Sequence, residues 1–258
     1  METYVFDGSL AGLLSAVFTA YERKSDAVKI VDQGSYQPDL LGGEIRIYSD
    51  HRQAARVWQG LSKHIGTEGL GRFYAAFLGE DPKGYQSLFD LSRAIFDRGG
   101  DVIGDFGNVH VLFVWQLARK VHREKHRMEA FVRFQQLADG LFFAVVEPDY
   151  NVLPLIREHF AERYADQRWL IYDLRREYGL YYDGDRVEEV FLEFDVNAGK
   201  QHHPSLPENL LAEDEPLYQR LWKGYFCHAN IPMRKNTKLH IRHIPKRYWR
   251  YLTEKLDL

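Results

Sequence analysis

The stretch "EKHRMEAFVRFQQLADGLFFAVVEPD", Glu124–Asp149, decides between an all-helical chain and a mixed one. Up to about Arg127 the apolar residues recur at helical spacing, and from Glu129 they alternate, which is the period of a strand. Asp139-Gly140 then sits between two apolar runs, the dipeptide that closes tight hairpins. The pattern predicts strands over Ala130–Leu137 and Leu141–Pro148. In the first, Phe131, Arg133 and Gln135 would share one face, with Val132, Phe134 and Gln136 on the other.

Downstream, "NVLPLIREHFAERYA" predicts an amphipathic helix with Pro154 in its first turn. "RWLIYDL", "YGLYYDG" and "VEEVFLEF" predict three more strands, the last two joined through Asp183-Gly184. Upstream, "TYVF" reads as a strand leading into a helix over "LAGLLSAVFTAYERK", capped by Ser9. "GGEIRIYSD" reads as another strand, and His51 to Arg127 as three or four helical segments, with Pro82 at a start and "RGGD" at an end. The expected class is α+β, with a strand-helix and helical block followed by a mostly antiparallel sheet, a packed helix and a basic C-terminal segment. The divisions expected are 1–127, 128–196, a polar linker over 197–216, and 217–258 packing on the rest, with a single domain as the alternative.

Of 258 residues, 45% are hydrophobic and 28% charged, values that fit a folded chain. Cys227 is the only cysteine, which excludes an internal disulfide and a self-ligated iron–sulfur cluster. The start "METYVFDGSL" lacks the pattern of a secretory signal, so a cytoplasmic protein without a membrane anchor is expected. The net charge of −3 hides a polarised chain. Trp222–Arg250 holds eight Lys or Arg and no acid, whereas Glu147–Asp195 holds thirteen acids against six arginines. Such a chain can carry a polyanion on one face, or the two regions can neutralise each other.

The tail interleaves Arg234, Lys235, Lys238, Arg242, Lys246, Arg247 and Arg250 with Tyr248, Trp249 and Tyr251. Cations for phosphates beside rings for bases suit nucleic acid. Phe131 with Arg127 and Arg133 offers the same pairing, and snorkelling or pairing with an acid is the alternative for Arg133. His126, His159 and Asp173 are the candidates for acid–base chemistry if the fold brings them together. Cys227, His228, His240 and His243 lack the paired close spacings of a zinc site, so no metal and no cofactor are expected.

Four stretches in this order, "YVFDGSLAGLLSAVFTAYE", "HRMEAFVRF", "VVEPDYNVLPLIREHFAERYADQRWLIYD" and "HIPKRYWRYLTE", resemble a bacterial family described as probable DNA metabolism proteins. The matching positions include His126, Arg127, Met128, Phe131, Arg133, Phe134, Pro148, His159, Phe160, Trp169, Asp173, Pro245, Tyr248 and Trp249. The resemblance implies DNA repair or modification beside a radical-SAM protein encoded nearby. It also implies, for some members, fusion to a uracil-DNA-glycosylase-like domain, which is not expected in this chain. Two functions follow as expectations. One is an accessory protein that binds single-stranded or damaged DNA and works with the radical-SAM partner; the other is an enzyme acting directly on DNA or a nucleobase through a His/Asp/Arg site.

Overall fold

A computed structural model describes residues 1–38, 43–192, 211–229 and 241–255, with only the backbone of 224–229. The chain divides into two compact units, Met1–Arg123 and Glu124–Leu258.

The first unit opens with strand β1 (Glu2–Phe6), helix α1 (Leu10–Arg23) and strand β2 (Val28–Asp32), and β1 also pairs with β3 (Glu44–Arg46). All pairings are parallel, in the order β2-β1-β3. Ser9 caps α1 by accepting from the Gly12 amide, as its place before the apolar run predicts. Strand β2 was hidden in the sequence because "VKIVD" is short and Lys29 and Asp32 interrupt its apolar run. Helix α2 (His51–Phe77) bends at Gly66, whose φ of 64° suits glycine. Helix α3 (Pro82–Arg98) begins at its proline under an Asp81 cap and stops at Gly99. Buried Leu13, Val17, Leu61, Phe73, Leu88, Phe89 and Ile95 come from α1, α2 and α3, so the core of this unit lies where those helices meet.

Helix α4 (Val109–Phe131) starts in the first unit, and its last turns belong to the second. The strand expected over Ala130–Leu137 is therefore corrected: the helix runs on to Phe131, and only Gln135–Gln136 form strand β4. The expected shared face of Phe131, Arg133 and Gln135 does not exist. The alternating run also fits a helical end, and packing chose the helix: the Phe131 ring lies 5.4 Å from that of Tyr248, a partner no local pattern reveals.

The hairpin itself is present, because β4 pairs antiparallel with β5 (Phe142–Val146) around Gly140 at φ 82°. Helix α5 (Leu153–Arg163) carries the chain to β6 (Trp169–Asp173), parallel to β5, and β7 (Tyr178–Tyr182) and β8 (Val187–Val190) complete the sheet. Three of its four pairings are antiparallel, in the order β4-β5-β6-β7-β8. The register puts Phe142, Trp169, Tyr182 and Val187 in one row. On their face Trp169 stacks on Tyr182 at 5.4 Å and meets Phe160 of α5 at 6.0 Å. On the other face Phe143, Leu170 and Tyr172 form a second buried cluster. The chain is thus a mixed helix-and-sheet protein of the expected kind.

Most of the expected linker, 197–210, lies outside the described residues. Where the chain is described again, Leu211 bridges to Leu137 and the Ala212 amide donates to the Gln136 carbonyl, which sets helix α6 (Glu215–Ala229) beside β4. Two short 3₁₀ turns, Lys246–Tyr251 and Thr253–Lys255, end the described chain.

Candidate functional site: an aromatic cleft in the second unit

A cleft of about 1110 Å³ opens in the second unit between the end of α4, β4, α5 and α6. Its rings are Phe134, Phe142, Phe160, Tyr164, Tyr218 and Trp222. Phe134 is held by three of its neighbours, with ring centroids 5.8 Å from Phe160, 5.3 Å from Tyr164 and 6.4 Å from Trp169. Tyr218 and Trp222, one helical turn apart on α6, are 58% and 40% exposed. Three glutamines, Gln136, Gln167 and Gln219, add amide donors and acceptors to the lining.

Charge in the lining is balanced. The lining carries Arg133 and Arg163 against Glu129 and Glu215, with the imidazoles of His126 and His159 and the phenols of Tyr164 and Tyr218. Arg133 is fully engaged. Its Nε and Nη2 donate to the Glu254 carboxylate at 3.3 and 2.9 Å, and its Nη1 donates to the carbonyls of Ala130 and Val132. Glu254 also accepts the Trp222 indole N–H at 2.9 Å, and the Arg133 guanidinium lies 5.5 Å from that ring. One carboxylate therefore fixes an arginine and an indole at the cleft wall. Burial alone would raise the Glu254 pKa, but the hydrogen bonds and charge of Arg133, with the Trp222 donor, hold it below the usual carboxylate range.

His126 and His159 line this one cleft, but Asp173 does not. Asp173 is fully buried at the end of β6, accepting from the amides of Arg175 and Arg176 and from Arg176 Nη1 at 2.8 Å. Burial pushes its carboxyl above the usual range, against the pull of those same donors. Its position gives it the job of closing the strand. His126 is 88% exposed, its Nδ1 3.6 Å from Glu129, and His159 packs edge-on to Phe160 at 5.2 Å.

Two of the described cations of the tail are bound to carboxylates of the same unit. Arg247 reaches Asp149 at 2.5 Å and Glu124 at 3.6 Å, and Arg250 pairs with Glu147. Arg127 pairs with Glu124 at 3.3 Å, and Lys246 lies 5.8 Å from the Trp249 ring. Trp249 spends its indole N–H on the Ile244 carbonyl. Arg242 is exposed, while Arg234, Lys235 and Lys238 lie outside the described residues. Among the described residues no group of three His, Asp or Glu is placed to hold a metal.

Sequence reasoning passed over Glu124 and α6. Glu124 is 1% exposed and accepts the Tyr248 hydroxyl and the Asp149 amide, the latter at 2.9 Å. A lone acid inside "RKVHREKHR" was its only signal. For α6 the signal was Leu217, Leu221 and Trp222 at helical spacing after Pro216.

These features define an α+β protein with a ring-lined, charge-balanced cleft. The model of a domain of unknown function, DUF4130, matches residues 82–254, two thirds of the chain, so the chain belongs to that family. The match takes in the whole cleft. No curated protein and no solved structure matches the chain.

Proposed function

We propose that the chain is a DNA-metabolism accessory protein that binds single-stranded or damaged DNA in this cleft and works with a radical-SAM partner. The observation that carries the reading is the cleft itself: six aromatic residues and three glutamines around about 1110 Å³. Pockets for drug-sized ligands run to about 1,000 Å³, so this one is roomy enough for a nucleotide and its neighbour. Rings accept bases of any sequence by stacking, and amides complement their edges. The partner is implied by the family resemblance, and this chain's single cysteine leaves any iron–sulfur chemistry to another protein. Fluorescence anisotropy of the full chain with labelled single-stranded and duplex oligonucleotides tests the first half. Co-purification with the radical-SAM protein encoded nearby tests the second. Absence of binding to both oligonucleotides sinks the reading.

A second reading, an enzyme acting on DNA or a nucleobase, is favoured by His126 and His159 opening on one cleft. It predicts turnover that His126→Ala and His159→Ala each abolish without unfolding.

A further inference from the structure

We infer that the cleft recognises an unpaired nucleobase and draws its affinity from stacking and base-edge hydrogen bonds rather than from backbone phosphates. The inference rests on the nucleic-acid reading above and narrows it to one part of the nucleotide.

Charge is the first reason. The four ionised side chains in the lining, Arg133, Arg163, Glu129 and Glu215, sum to zero. Arg133 already holds Glu254 through two nitrogens, and Glu129 is shared by Lys125 and His126. That leaves Arg163, exposed at the end of α5, as the one cation of the lining with no carboxylate partner among the described residues. A groove that tracks a phosphate backbone needs a row of such cations.

The second reason is order. Trp222 is pinned by Glu254 and Arg133, and Phe134 by its three ring neighbours, so these platforms exist before a ligand arrives and little rotamer freedom is lost on stacking. Tyr218, one turn before Trp222 on the same helix, is exposed and adds a third ring. Gln136 and Gln167 line the same space with amide groups able to pair with a base edge.

The two modes differ sharply in their response to salt. Single-strand binding loses about 0.7 log units of affinity per phosphate contact for each tenfold rise in salt. The test titrates the full chain with a fluorescein-labelled single-stranded 12-mer and with the same strand bearing central abasic sites, at about 50 and about 200 mM salt. We expect the abasic strand to bind at least about tenfold more weakly, as loss of one stacked base implies. The fourfold rise in salt should weaken the intact strand no more than about sevenfold, the effect of at most two phosphates. Tyr218→Ala, at an exposed position, should fold normally and lose most of the discrimination between the two strands. Equal binding of the two strands, together with a loss of about a hundredfold with salt, would overturn the inference and leave a backbone binder. Binding to neither strand would instead bring down the nucleic-acid reading itself.

Discussion

Replacing Glu124 by alanine should free the C-terminal 3₁₀ turn Lys246–Tyr251 from helix α4. The carboxylate is 1% exposed and serves four donors: the Tyr248 hydroxyl, the Asp149 amide, Arg127 and Arg247. Alanine orphans the first two. The Tyr248 residue is 1% exposed and its hydroxyl pKa is raised, by burial first and then by the hydrogen bond to Glu124. Orphaning the buried Tyr248 hydroxyl costs about 1–3 kcal/mol, and losing the bond to the Asp149 amide, on an exposed residue, about 1 kcal/mol. The two arginines, 22% and 45% exposed, regain water and add little. Relief of the buried charge returns part of the sum. The net loss should be about 2–4 kcal/mol, a fall in Tm of roughly 5–15 °C for a unit of this size. Tyr248→Phe removes one donor and leaves the carboxylate its other partners, so it should cost about 1 kcal/mol. The double variant should cost less than the sum, because phenylalanine has no hydroxyl to strand. Scanning calorimetry gives the energies, and hydrogen exchange at the Tyr248 and Leu252 amides localises the release. A Glu124→Ala protein within about 0.5 kcal/mol of the parent, or strict additivity in the double variant, would refute the reasoning.

Three further outcomes follow from particular contacts. Because the folded-state pKa of Glu254 lies below its unfolded value, its contribution is fully present above the ordinary carboxylate range and disappears as pH falls through the folded value; protection of the Lys255 amide should fade in that acid window and stay constant near neutrality. Gly179→Ala should cost about 1–3 kcal/mol, since an added Cβ would stand 2.9 Å from the Ile171 carbonyl oxygen and force β6 and β7 apart, which urea denaturation will read. Asp173→Ala should lower stability by about 2–4 kcal/mol through its stranded amides and arginine, so lost function in that variant must track lost fold; a stable, well-folded but inactive Asp173→Ala protein would instead return this residue to the site.

Local chemistry made much of the sheet legible. Asp139-Gly140 and Asp183-Gly184 demand positive φ, and Gly140 and Gly184 adopt 82° and 108° there. Pro82 and Pro154 fixed two helix starts for the same kind of reason. The site was less legible, because its residues are chosen by partners far along the chain. Arg133 meets Glu254 across 121 residues and Tyr248 meets Glu124 across 124. The basic tail, read by itself, left a polyanion-binding face and neutralisation within the chain equally open, and Arg247 and Arg250 find Glu124, Asp149 and Glu147. His126 and His159 do open on one space, which neither position alone could reveal, while Asp173 is claimed by the backbone.

Photocrosslinking locates the ligand most directly. A single-stranded oligonucleotide carrying one halogenated base, irradiated with the full chain and mapped by mass spectrometry, should form adducts at Tyr164, Tyr218 or Trp222. Adducts confined to residues outside the cleft, with these three unmodified, would contradict base recognition there.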